Sequence, residues 1–198
     1  MKKSFLILTA IAGVATASIA FVSCNNNAKA GSATGEVIIS KDSLIKRGSY
    51  LVNSMGCDDC HSPKIFTSTG FEIDMEHRFS GHLANSKLGK PNTTVMNDGY
   101  MLFAMDLTSA VGPWGQSYAA NISSDATGIG NWTEEQFFRA LREGKSKGLK
   151  ESRPLLPPMP WFVYKNLNDT DIKAIFAFLK STKPVDNRVP GPKAPNEL

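Results

Sequence analysis

The chain has 198 residues, of which 41% are hydrophobic and 20% charged, enough for one sizeable core and little beyond it. Its formal net charge of +4 includes Lys2 and Lys3, and without them it is 4 − 2 = +2; no Lys/Arg cluster is dense enough to track phosphates, so nucleic acid is excluded as a partner. Three cysteines are too few for a disulfide scaffold, and an odd count leaves at least one with another task.

The N-terminus carries a basic pair, Lys2 and Lys3, then an uncharged, largely apolar run over residues 5–22, then Ser23 and Cys24. That order is a secretory signal. The run falls short of the about twenty apolar residues of a membrane span and is diluted by Thr, Ser and Gly. Its end, F-V-S-C, resembles a bacterial lipobox, which implies that residues 1–23 are removed and that Cys24 is lipidated. Residues 24–39 begin small and polar and read as a flexible tether. Export places the protein outside the reducing cytoplasm.

From Leu44 the apolar positions Leu44, Ile45, Gly48, Leu51, Val52 and Met55 follow a three-and-four spacing, which predicts a helix that Gly56 ends. Directly behind it stands G-C-D-D-C-H-S-P. Between residues 63 and 131 the pattern dissolves into glycines, asparagines and short apolar pieces such as Y-M-L-F-A-M, where a brief helix or hairpin is left open. Loops this long inside one domain need something to wrap, and a large flat cofactor meets that need. A second helix is predicted from Thr133, with Gln136 completing a capping box, Phe137, Ala140 and Leu141 on one side, and Gly144 as the stop. A third runs from Asn168 through Ile172, Ile175, Phe176 and Leu179 and is stopped by Pro184. Residues 185–198, with Pro190, Pro192 and Pro195, are expected to lie extended over the surface or loose. The expected class is mainly α with long loops, the domain proper covering residues 40–184.

Cys57, Cys60 and His61 admit three chemistries. Zinc could recruit Cys57, Cys60, His77 and His82, but the sixteen-residue gap before His77 exceeds the about twelve of a common finger, and His61 would be idle. Disulfide exchange wants its C-x-x-C at a helix start beside a strand, whereas this one follows a helix, and Asp58 and Asp59 would raise the thiol pKa. Covalent haem attachment uses C-x-x-C-H, in which two thiols join the haem vinyl groups and the adjacent histidine reaches the iron. Export strengthens the haem reading.

The order of an N-terminal helix, C-x-x-C-H, a long loop region, a methionine among prolines and a C-terminal amphipathic helix resembles class I c-type cytochromes. P-P-M-P-W-F-V-Y-K-N-L-N-D-T-D-I-K-A-I-F-A-F-L-K-S, residues 157–181, and A-A-N-I-S-S-D-A-T-G-I-G-N-W, residues 119–132, are similar to bacterial monohaem cytochrome domains. These include the domains of the cytochrome subunits of membrane-bound alcohol and aldehyde dehydrogenases. The resemblance implies a cytochrome c fold in which N- and C-terminal helices cross and long loops wrap one covalent haem c. It implies Cys57 and Cys60 as attachment residues and His61 and Met159 as axial ligands.

Among the methionines, Met55 reads as core, Met101 and Met105 default to core, and Met75 and Met96 carry no motif; Met159 is framed by Pro157, Pro158 and Pro160, which fix its backbone. His77 and His82, the imidazole alternatives, read as surface or propionate-side residues. Trp161, Pro63 and Trp114 are candidates for the haem pocket, a turn with a core tryptophan being the other reading of Trp114. Arg139 and Arg142 fit a solvated helix face. A mid-helix glycine costs about 1 kcal/mol relative to alanine, and the resemblance implies that Gly48 lets the first and last helices cross closely against Phe176 or Phe178.

The expected function is single-electron transfer by a lipid-anchored cytochrome on the periplasmic side of a bacterial membrane, serving a dehydrogenase, an oxidase or another cytochrome. It is expected not to be an enzyme itself. The rivals are a haem enzyme or gas sensor with an open iron position, and a structural zinc lipoprotein.

Overall fold

The computed structural model describes residues 40–198; the signal, the lipidation position Cys24 and the tether over residues 24–39 lie outside the described residues. Ser40 opens helix α1 (Lys41–Ser54), its hydroxyl accepting from the Ser43 amide at 3.2 Å. The chain then makes one short turn of helix, α2 (Cys57–His61), which holds the whole C-D-D-C-H motif. Thr133 and Gln136 form the predicted capping box of α3 (Glu134–Glu143), which stops before Gly144. Helix α4 (Trp161–Tyr164) is a single turn after the prolines, and Asn168 caps α5 (Asp169–Lys180) by accepting from the Asp171 amide at 2.7 Å.

Residues 63–131, where the sequence leaves a brief helix or hairpin open, hold strands beside the loops. Strands β1 (Lys64–Thr67) and β2 (Gly70–Ile73) form one antiparallel hairpin. Strands β3 (Leu102–Phe103), β4 (Ser109–Gly112) and β5 (Gly115–Tyr118) form an antiparallel meander. The described residues therefore combine five helices with five antiparallel strands.

Helices α1 and α5 cross at Gly48, where a Cβ would lie 1.9 Å from the Ala174 carbonyl oxygen and 2.7 Å from Cβ of Phe178. Only a glycine permits that approach. The crossing buries Leu51 and Val52 of α1 against Ile172, Ile175 and Leu179 of α5, each side chain contributing about 1.5–3 kcal/mol by leaving water. Phe137 and Leu141 of α3 join this cluster, as do Phe79 and Ile129 from the loops. Phe79 meets Phe178 edge to face at 6.1 Å, and Phe137 meets Phe176 at 5.0 Å. Arg47 and Asp171 fasten the two helices outside the core through two bonds, of 2.8 and 3.2 Å.

The segment after α5 does not hang loose. Val185 and Asn187 are buried, and Lys193 exchanges two backbone bonds with Gln116 of β5, so the extended tail is tied down at both ends of its course. No helix among the described residues is long and apolar enough to cross a membrane.

Candidate functional site

Helix α2 is held in place through Asp58, which is buried in a polar socket. The Arg78 guanidinium donates to both its oxygens, at 2.9 and 2.6 Å, and the Ser62 hydroxyl donates at 2.7 Å. Burial pushes the Asp58 carboxyl up, but Arg78 and Ser62 outweigh it and hold the group below its ordinary value, so it stays ionised. The far end of the helix is capped by Lys64, whose ammonium donates to the carbonyls of Asp58, Asp59 and Ser62 at 2.8, 2.5 and 2.6 Å. A cation on the last carbonyls complements the helix dipole.

Cys57 and Cys60 are both free and half-buried on this one turn. Burial, with the Asp58 charge added, pushes the Cys57 thiol up to about 12, and burial raises Cys60 as well. Since the thiolate is the form that attacks disulfides, thiols raised in this way are poorly suited to disulfide exchange at neutral pH. Among the described residues no three His, Cys, Asp or Glu side chains stand together as a metal site, so Cys57, Cys60, His77 and His82 do not converge.

His61 closes the turn, with Nδ1 2.7 Å from the Ala120 carbonyl oxygen. Burial lowers its pKa, against a smaller opposing effect of that carbonyl, so the ring is neutral. A neutral imidazole facing a carbonyl through Nδ1 carries its proton there and its lone pair on Nε2. Nε2 is thereby prepared as a ligand atom.

Met159 is half-buried against the same apolar cluster as Cys57, Met55, Trp132 and Tyr164. Its loop is anchored by the Ser117 hydroxyl of β5, which donates to the Pro157 carbonyl at 2.7 Å, and by the Leu155 amide, which donates to the Gly144 carbonyl at 2.6 Å. The Tyr164 hydroxyl donates to the Met55 carbonyl at 3.0 Å, connecting the turn behind Met159 to the residue before Gly56. Burial pushes that phenol up to about 12, so it remains a donor.

The remaining candidates fall in varied places. Pro63 is buried behind His61, and its carbonyl accepts from the Asp74 amide. Trp161 packs on Gly144 with Lys165 at 6.0 Å from its ring. Trp114 occupies the β4–β5 turn, its ring over Gly112 and its indole N–H donated to Ser117 at 3.2 Å. His82 departs from its surface reading: it is buried, its Nδ1 2.7 Å from the Thr108 hydroxyl oxygen and its ring 4.9 Å from that of Tyr118. His77 pairs with Asp74 at 2.7 Å in a half-exposed turn. Met101 and Met105 are 46% and 80% exposed rather than core; they lie just outside β3, the edge strand of the meander. Arg139 pairs with Glu135 and donates to the Gly148 carbonyl, while Arg142 pairs with Asp169. Sequence reasoning missed Arg78, Lys64, Ser117 and Ala120. Only the uncompensated Asp58 beside a cysteine signalled that a cation must come to this helix.

No protein-family model matches the chain. It is 31% identical over 158 residues to the gluconate 2-dehydrogenase cytochrome c subunit of Pantoea cypripedii, a match over 76% of this chain and 27% of that protein. It is 43% identical over 84 residues to the fructose dehydrogenase cytochrome subunit of Gluconobacter japonicus, covering 41% of this chain and 16% of the relative. The cytochrome c subunit of the quinone-type alcohol dehydrogenase of Gluconobacter oxydans is 40% identical over 82 residues, covering 39% of this chain and 16% of that protein. The chain spans less than a third of the length of each of these relatives. Its homologues include cytochrome c subunits of dehydrogenases.

Proposed function

We propose that the protein is a monohaem cytochrome c that carries single electrons to or from a dehydrogenase, an oxidase or another cytochrome. One observation carries the reading: a single turn presents two free cysteines and a histidine whose Nδ1 is engaged by the Ala120 carbonyl, which leaves Nε2 as its ligand atom. The donor set fits haem c, with Cys57 and Cys60 as attachment thiols, His61 as one axial ligand and Met159 as the other. A bound haem supplies a one-electron change at its iron. The chain's part is to hold the ligand atoms still. Arg78 and Lys64 lock α2, Ala120 fixes the His61 tautomer, and Ser117 anchors the loop of Met159. A thioether opposite histidine favours a higher potential than a second imidazole. The crossing of α1 and α5 at Gly48 supports a cytochrome c fold around this site.

The names of the relatives support a dehydrogenase as partner, met through a small transient contact. The signal over residues 1–23 and Cys24 support export and lipid anchoring at the periplasmic side of a membrane. Mass spectrometry of the protein matured with haem-attachment machinery tests the assignment. The denatured chain is expected to retain the mass of one haem and to lose it when Cys57 and Cys60 are both changed to alanine. Retention of haem by that double variant, or none in the wild type, contradicts covalent attachment. Cys24→Ser is expected to move the protein from the detergent phase to the aqueous phase, and an unchanged partition removes the lipid anchor.

A further inference from the structure

The carbonyl that holds His61 is itself placed from outside the C-D-D-C-H turn. Ala120 accepts from His61, and one residue earlier the Ala119 carbonyl accepts from the His82 amide at 3.0 Å. The Gly81 amide donates in turn to the His61 carbonyl at 2.8 Å. Residues 80–82 are thus wedged between His61 and residues 119–120. Gly81 has φ 71°, and a Cβ on it would lie 2.3 Å from the Ala119 oxygen and 2.6 Å from the Ala120 oxygen, so the wedge sits as close as a bare backbone allows.

The side chain that closes this wedge comes from the tail. Asn187 is buried, and its Nδ2 donates to the carbonyls of Ser80 and His82 at 2.8 and 2.9 Å while its Oδ1 accepts from the Ala84 amide at 3.0 Å. Both of its amide protons are therefore used on the residues flanking Gly81. Its backbone reaches the other side of the wedge: its N–H donates to Thr127 at 3.0 Å, and its carbonyl accepts from Asn121 Nδ2 at 3.3 Å. Asn121 directly follows Ala120 and also donates to the Val185 carbonyl at 2.8 Å.

We propose that Asn187 is a positioning residue for the axial histidine: it clasps residues 80–82 and, through Asn121, the segment bearing Ala120, and so sets how firmly the Ala120 carbonyl engages His61 Nδ1. The inference rests on His61 being an iron ligand. A hydrogen bond at Nδ1–H makes the other ring nitrogen more electron-rich, which favours the oxidised metal. Loosening the clasp weakens that bond and moves the reduction potential to a more positive value.

The test compares the haem-matured full chain with Asn187→Ala and Asn187→Leu; the second keeps about the size and loses the hydrogen-bonding groups without adding a charge. The wild-type spectrum first establishes or removes His61 and Met159 ligation, and absence of covalent haem there overturns both this inference and the functional reading. With ligation established, amide hydrogen exchange at Gly81 and His82 is expected to accelerate by about tenfold or more in both variants, while exchange at Leu51 and Val52 stays as in the wild type. The potential is expected to become more positive in both, with the methionine band intact. Asp171→Asn, which weakens the Arg47 pair outside the core, serves as the control and should leave the potential unmoved. Unchanged exchange at Gly81 and His82 overturns the clasp. Faster exchange with a wild-type potential overturns the positioning role and leaves Asn187 a structural residue only.

Discussion

Replacing Gly48 by alanine tests the packing that frames the site. A Cβ at that position would stand 1.9 Å from the Ala174 carbonyl oxygen and 2.5 Å from its carbon, both backbone atoms of α5 that cannot rotate away. To restore an ordinary 3.4 Å contact the helices must retreat by 1.5 Å. A gap of 0.5–1 Å already removes roughly a quarter to a half of a contact's dispersion energy. The side chains affected are Leu51, Val52, Ile172 and Ile175, each buried at a gain of about 1.5–3 kcal/mol. Against the loss stands the better helix propensity of alanine, about 1 kcal/mol. The net expectation is a destabilisation of about 2–4 kcal/mol, or a fall in Tm of about 6–12 °C for a domain of this size. Thermal unfolding of the haem-loaded protein, followed by far-UV circular dichroism, measures it. A variant as stable as the wild type, or more stable by the propensity gain, would refute the close crossing.

Ser117→Ala removes the donor to the Pro157 carbonyl, and is expected to lower stability by about 0.5–1.5 kcal/mol and to let carbon monoxide bind the reduced protein faster, with covalent haem unchanged; identical binding kinetics would mean that the Met159 loop needs no such anchor. Lys64→Met strips the cation from three carbonyls at the end of α2 and should lower stability by about 1–2 kcal/mol in denaturant titrations, together with the yield of covalent haem. The Asp171 carboxyl is held below its ordinary value by Arg47 first, with Asn168 helping against burial. A group depressed in the folded state stabilises above its unfolded pKa of about 3.9 and loses that contribution as pH falls through the folded value. Asp171→Asn should therefore unfold more easily than the wild type at pH 7, the difference closing as the pH drops below about 4; a constant difference across that range would contradict the ion-pair account.

The three longer helices, α1, α3 and α5, were legible because each is written in its own residues. The crossing was anticipated through the family resemblance, with Gly48 as the small residue it requires, and the α3 start was readable from Thr133 and Gln136, which satisfy each other three residues apart. The strands were not, because neither hairpin alternates. Ile65, Phe66 and Phe71 stand exposed, while β4, Ser109–Gly112, is buried throughout and built of small residues, so no period of two appears. Asp58 pairs with Arg78 twenty positions away, and the partner of His61 is a backbone carbonyl that any residue type at position 120 would provide. Counting prolines described the tail as extended but could not show that Val185 and Asn187 are buried, since their partners at Asn121, Ser80 and His82 become neighbours only when the chain has folded.

The central claim is that His61 and Met159 hold one covalently attached haem, and the most direct measurement is the visible spectrum of the matured protein, oxidised and reduced, beside that of Met159→Ala. The account predicts covalent haem in both proteins and, in the wild type alone, the weak far-red band of sulfur on ferric iron. A wild type with covalent haem but no such band would contradict methionine ligation, and a colourless protein would contradict the haem itself.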